Sequence, residues 1–171
     1  MIEFKHKEIH VDAIGRGGIE TCYILANFQL AFDTGRCPDQ LIDIPRIFLT
    51  HGHLDHSAGL PYYISQRSLR HLPPPEIFCP AEIVEPITKI LHLWQEIEGF
   101  KYEIKVQGLN PGDLVPSDVL VDCGLGLRQL IARLAVEGIG PADLDGIFIT
   151  HEHGDHIGCA PMLVARYGVP L

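Results

Sequence analysis

No stretch of the chain approaches the roughly 18–20 consecutive apolar residues that a membrane-spanning helix needs. The opening MIEFKHKEIHVDAIG alternates charged with apolar residues and lacks the apolar core of a signal peptide. Cysteine is sparse and ill-arranged for bridging. The five residues Cys22, Cys37, Cys79, Cys123 and Cys159 are odd in number, widely spaced and without a C-x-x-C pair. That excludes a disulfide framework and a Cys-rich zinc knuckle, and predicts reduced, mostly buried thiols. Cations are few: 13 Lys and Arg stand against 22 Asp and Glu, a formal net charge of −9. Such a chain does not coat nucleic acid by charge alone, although an enzyme that engages a phosphodiester through metal ions is still open to it. The expectation is a soluble, cytoplasmic protein without a membrane partner.

What is present suits a globular chain. Hydrophobic residues make up 46% and charged residues 20% of 171 residues, the size of one ordinary domain or two very small ones. IEFKHKEIHV alternates as a strand, and TCYILAN, FQLAFD and RIFLTH read as further strands, with a tight turn at RGG (16–18). Ser57 to Leu69 can form a helix that Pro61 enters near its first turn, where proline is tolerated. The clearest helix is 81–98, with Ile83, Val84, Ile87, Ile90, Leu91, Trp94 and Ile97 on one face and Gly99 as the stop. His92 is expected to pack with that face, His71 to end a solvated helix, and His6 and His10 carry no assigned role. KYEIKV (101–106) alternates as a strand, and the turn-rich GLNPGDLVPSD marks a seam between domains 1–115 and 116–171. Beyond it the pattern restarts: VLVDCG as a strand, an amphipathic helix through Leu127, Leu130, Ile131 and Leu134, the loop GIGPADLD, the strand GIFITH and the helix IGCAPMLVARYG.

The two blocks share an order of strand, Asp-x-Gly, connector, strand, H-x-H-x-D-H and helix, an internal duplication in kind. FLTHGHLDH occupies 48–56 and FITHEHGDH 148–156. At the end of a buried strand, histidines spaced i, i+2 (His51 and His53) can converge on one metal. Asp55 and His56 open the next helix and point at a neighbouring position. Imidazole with carboxylate suits zinc, with manganese or iron also open. Two such ions about 3.5–4 Å apart can activate a water and polarise a phosphoryl or carbonyl oxygen. Asp33, in DTG, would stand behind the ligands and orient their loop.

The stretches GGIETCYIL, AFDTGRCP, FLTHGHLDHSAGLPYYISQR and LPPPEIFCPAEI resemble the metallo-β-lactamase superfamily, specifically short-form ribonuclease Z, across residues 8–113. Residues 117–171, VLVDCGLGLRQLIARL followed by GIGPADLDGIFITHEHGDHIG, resemble the N-terminal part of other hydrolases and nucleases of that superfamily. The resemblance implies an α/β fold, a four-layered αββα sandwich that here is incomplete or built from two N-terminal-type halves. It implies His51 and His53 on one zinc and Asp55 and His56 on a second, with Asp55 steering the water or the leaving-group proton. His151, His153, Asp155 and His156 hold the matching positions in the second block, with Asp155 as catalytic carboxylate and Asp122 behind the ligands. The implied activity is hydrolysis of phosphodiesters by a metal-activated hydroxide, most like tRNA 3′-end processing, with a tRNA precursor or another phosphodiester as partner. Exonuclease or thioester hydrolysis, and a catalytically silent fold, are the alternatives.

The family completes its site from a C-terminal half, with a later histidine, a bridging aspartate in a GDT-like turn and a final histidine. Here the ribonuclease Z match stops at NPGD, and no His, Asp or Glu follows His156. Three arrangements therefore compete. The second block packs where the C-terminal half would sit, so that eight ligands surround one binuclear site. Alternatively, the chain is a fusion or truncation that binds metal weakly and self-associates into a homo-oligomer. In the third, it is a metal-free scaffold.

Overall fold

The computed structural model describes residues 1–6, 9–110, 113, 115, 119–121, 123–149 and 154–170. The chain divides into two compact units, Met1–Asp113 and Leu114–Leu171.

The first unit carries seven strands: β1 (Ile2–His6), β2 (Ile9–Arg16), β3 (Glu20–Leu25), β4 (Leu30–Phe32), β5 (Arg46–Phe48), β6 (Glu76–Pro80) and β7 (Lys105–Leu109). They form one sheet in chain order. The β1–β2, β2–β3 and β3–β4 pairs are antiparallel and the remaining three parallel. The change of direction follows from connector length. Short turns return the chain antiparallel, whereas parallel neighbours need a crossover. Those crossovers are a short 3-10 segment, Asp39–Asp43, between β4 and β5; α1 (Leu54–Ser57) and α2 (Leu60–Leu69) between β5 and β6; and α3 (Val84–Glu98) between β6 and β7.

Alternation along the strands gives the sheet two different faces. Ala31, Ile47 and Ile77 are in register on adjacent strands and join a core with Leu41, Ile42, Leu60, Tyr63, Ile64, Ile87 and Leu91. One residue on, Phe32, Phe48 and Phe78 are also in register and make an aromatic ladder, with ring centroids 5.5 and 4.8 Å apart. Arg67 is only 3% exposed. Its guanidinium donates to the carbonyls of Ile42, Ile44 and Pro73 and lies 5.6 Å from the Tyr63 ring centroid, so it ties α2 to two loops.

The second unit pairs β8 (Val119–Val121) in parallel with β9 (Gly146–Phe148). α4 (Leu127–Val136) crosses between them, and α5 (Gly154–Ile157) and α6 (Ala160–Tyr167) follow. Leu120, Leu130, Leu134, Leu144, Ile147, Ala160, Leu163 and Val169 form its core.

Several expectations need correction. The last strand of the first unit starts at Lys105, not Lys101, because its register with β6 begins at Glu76↔Lys105. On α3 only Ile87 and Leu91 are buried, while Ile90, Trp94 and Ile97 are exposed. His92 is exposed as well, one position beyond Leu91. IEFKHKEIHV is a strand pair, not one strand. GIGPADLD holds a short 3-10 turn at Pro141–Asp143. All five cysteines are buried and unbridged, as expected.

Candidate metal centre

The site of the first unit grows out of the end of β5. Leu49 N–H donates to the Phe78 carbonyl, which extends the parallel ladder by one residue, and the chain then leaves the sheet. His53 caps α1, its carbonyl accepting the N–H groups of His56 and Ser57 and the hydroxyl of Ser57. One turn of helix therefore fixes where His56 stands relative to His53.

Asp33 anchors this loop from below. It is 1% exposed and adopts a left-handed φ of 57°, which aspartate tolerates better than most residues. Its Oδ1 accepts the Thr50 N–H at 2.8 Å, and the Thr50 hydroxyl lies 3.0 and 2.9 Å from its two oxygens. His56 Nδ1 lies 2.7 Å from Oδ2. A carboxylate only accepts, so His56 donates from Nδ1 to Asp33, and its Nε2 is turned toward the other ligand residues. With the Thr50 hydroxyl proton committed to Asp33, its oxygen accepts from His51 Nδ1 at 3.0 Å, and His51 Nε2 is turned toward His53.

The remaining donors gather here. His51 Nε2 stands 3.0 Å from His53 Nδ1, and the His51 and His56 ring centroids are 4.0 Å apart. Asp55 Oδ2 lies 3.5 Å from His56 Nε2 and accepts the N–H of Gly18 at 3.0 Å. Burial, and then the neighbouring His56 and His53 rings, hold the His51 imidazole below its usual value, against the opposing pull of Asp33 and Asp55. A neutral imidazole is the form that binds a metal.

Among the described residues no three His, Cys, Asp or Glu side chains already close around one point as a finished cation site. The facing nitrogens of His51 and His53 stand at hydrogen-bond distance, a contact that a cation would replace. Two imidazoles on one tetrahedral zinc stand about 3.3–3.4 Å apart, from Zn–N distances of about 2.0–2.1 Å. The 3.0 Å found here falls short by only a few tenths. Three imidazoles and a carboxylate on one loop fit a borderline-soft divalent ion.

Of the second motif, His151 and His153 lie outside the described residues, as does Asp122. Asp155 and His156 lie on α5, of which the backbone is described. What surrounds them repeats the first unit. The pairs Phe32↔Phe48 and Val121↔Phe148 end equivalent parallel ladders, and a one-turn helix carries the last Asp-His of each motif. Thr34 Oγ1 donates to the His56 carbonyl, and Cys123 Sγ to that of Ile157. Behind each short helix a glycine lies against the Asp-x-Gly loop. A Cβ on Gly59 would meet Cys37 N at 2.6 Å, and one on Gly158 would meet the Cys123 carbonyl at 2.2 Å.

Sequence reasoning passed over Thr50, Gly18 and Glu20. Threonine directly precedes the first histidine in both motif copies, as Thr50 and Thr150, and that repetition was a usable signal. Gly18 is 37 residues from Asp55, and only the β2–β3 turn brings them together. Glu20, 6% exposed, joins the start of β3 to the loop after Asp33, accepting from Arg16 Nη2 at 2.6 Å and Arg36 N–H at 3.3 Å.

Residues 39–98 and 117–171 match the family model of the metallo-beta-lactamase superfamily, each stretch holding one H-x-H-x-D-H. The chain belongs to the metallo-beta-lactamase superfamily. Its mixed α/β architecture agrees with that membership. Among superfamily members, a chloroplastic tRNase Z of Arabidopsis thaliana is 38% identical over 103 residues, 60% of this chain and 29% of that protein. A nuclear ribonuclease Z of Triticum aestivum is 32% identical over 160 residues, 82% of this chain and 91% of its own length. An exodeoxyribonuclease, WalJ, of Streptococcus pneumoniae is 39% identical over 77 residues, 43% of this chain and 29% of that protein. The chain thus spans under a third of the length of two of these three superfamily relatives.

Proposed function

We propose that the chain is a metal-dependent phosphodiesterase that acts on RNA, with the 3′ end of a tRNA precursor as its substrate. The observation that carries this reading is the alignment with a protein named nuclear ribonuclease Z over 82% of the chain. The histidine cluster supports it independently.

In this reading His51 and His53 hold one ion and Asp55 and His56 a second, with Asp33 orienting His56 directly and His51 through Thr50. His151, His153, Asp155 and His156, with Asp122 behind them, are the equivalent set of a second domain, 116–171, after a first of 1–115. Bound there, zinc, or alternatively manganese or iron, would supply Lewis acidity toward a phosphoryl oxygen and acidify an attacking water. The chain's own part is orientation. Asp33 takes up Nδ1 of His56 directly and Nδ1 of His51 through Thr50, which leaves the Nε2 atoms of both rings to face the cluster. The Gly18 N–H restrains one oxygen of Asp55, so that its carboxylate is aimed to take a proton from the water or return it to the leaving oxygen. Asp155 has that role in the second block.

The exodeoxyribonuclease relative favours a second reading, cleavage of DNA from an end. Among the described residues no helix is long and apolar enough to cross a membrane. One relative is named chloroplastic and another nuclear, so a cytoplasmic location stays a proposal, as does a homo-oligomer. The test is cleavage of a precursor tRNA with a 3′ trailer beside a labelled DNA duplex. Endonucleolytic release of the trailer, stopped by chelator, is expected; digestion of DNA alone would transfer the assignment to the second reading.

A further inference from the structure

In an acidic chain, a nucleic-acid substrate must be drawn to the cluster by local positive charge. The place to look is the carboxylate of Glu20. One of its oxygens accepts from Arg16 Nη2 and the other from the Arg36 N–H, so a single buried group brackets both residues. Each bracketed segment is in turn bonded to the histidine loop. Two residues after Arg16, Gly18 N–H reaches Asp55 Oδ2; one residue before Arg36, Gly35 N–H reaches the His56 carbonyl at 3.2 Å. The spacing leaves no slack, since a Cβ on Gly35 would come within 2.8 Å of Glu20 Cγ.

The charges do not cancel. Burial raises the Glu20 carboxyl, but the hydrogen bonds from Arg16 and Arg36 N–H and the two cations outweigh it, and the group is held below its usual value, ionised. One negative charge stands near two cations. The Arg16 side chain remains 58% exposed while paired. Arg36 is exposed, and among the described residues its guanidinium donates no hydrogen bond. A buried carboxylate that fixes one exposed arginine, and holds the backbone of a second whose guanidinium stays open, makes a preorganised anion site, because guanidinium forks match phosphate oxygens.

We propose that Arg16 and Arg36 bind the backbone phosphates of a single-stranded nucleic acid entering the histidine cluster, with Glu20 as the residue that positions them. This rests on the phosphodiesterase reading but is tested without cleavage. The full chain in excess chelator is titrated against a fluorescein-labelled twelve-nucleotide RNA, by anisotropy at several salt concentrations. The Arg16→Ala/Arg36→Ala variant should bind several-fold more weakly at low salt. Its slope of log affinity against log salt should be shallower by about 1.4, from roughly 0.7 per phosphate contact on a single strand. Arg16→Lys/Arg36→Lys should keep most of the slope, and a DNA strand of the same sequence should show the same loss with the alanine variant. Unchanged affinity and slope in the alanine variant, an equal loss in the lysine variant, or a loss confined to RNA would each overturn the proposal. Metal content, measured on the same preparations before chelation, reports separately on the phosphodiesterase reading.

Discussion

His56 Nδ1 lies 2.7 Å from Asp33 Oδ2, across 23 residues of chain. The contact joins the two parts of the superfamily signature, the Asp-x-Gly turn and the H-x-H-x-D-H loop, and sets which nitrogen of His56 is left to bind. It is also costly to break. Asp33→Ala leaves the Thr50 N–H, the Thr50 hydroxyl and His56 without their acceptor. Because Thr50 is exposed and His56 partly so, each lost bond costs about 0.5–1.5 kcal/mol rather than the full penalty of a buried orphan. A loss of about 2–4 kcal/mol in urea unfolding is expected, with metal affinity lower by about 10–100-fold. Asp33→Asn, which keeps the shape and tolerates the left-handed φ, should lose less stability than the alanine variant.

Both motif helices should be intolerant of a methyl group behind them. Gly59→Ala and Gly158→Ala drive a Cβ into backbone at 2.6 and 2.2 Å, so each should destabilise its own unit by about 1–3 kcal/mol or more. Gly138→Ala has nothing within 4 Å and carries only the cost of its φ of 74°, about 1–2 kcal/mol. Thermal melts of the three variants give the comparison; equal losses would contradict the close approach.

The exposed stripe of α3 makes a sharp contrast within one helix. Leu91→Ala removes a fully buried side chain and should cost about 2–5 kcal/mol. Ile97→Ser, at a position 71% exposed, should stay within about 0.5 kcal/mol of the parent.

Burial pushes the Cys37 thiol up to about 12 and the Cys79 thiol up to about 11, with nearby Asp39 and Glu82 adding to it. A thiol-specific chromophore at pH 8 should therefore react slowly with the native chain and with all five thiols in denaturant. The sign of the linkage follows. An unfolded thiol ionises near its ordinary value while the folded one does not, so this contribution is complete below about pH 8.5. It is lost as pH rises through 9 to 11, at up to about 1.4 kcal/mol per pH unit for each thiol. Stability that rises over that range would contradict the burial.

The motifs were legible because their chemistry is local: a β-rich strand, then ligand residues at fixed spacing. Asp33 was legible for the same reason, as part of a short turn signature. The periodicity of 81–98 named the side chains that share a face of α3, but it carries no information on how far the sheet extends beneath them. Ile87 and Leu91 find the core, and Ile97 does not. KYEIKV alternates from Lys101, yet pairing begins at Lys105 because the partner strand sets the register; Tyr102 and Ile104 pack against the core without joining the ladder. Gly18 and Glu20 were invisible because their partners lie on other elements, brought close only by the β2–β3 turn.

The central claim is that the H-x-H-x-D-H loops hold metal. Elemental analysis of the purified chain, dialysed to remove loosely held ions, tests it most directly, with a His51→Ala/His53→Ala variant alongside. The account predicts at least about two zinc, manganese or iron ions per parent chain and a clear loss in the variant. A parent value near zero, or a variant that holds as much metal as the parent, would contradict it.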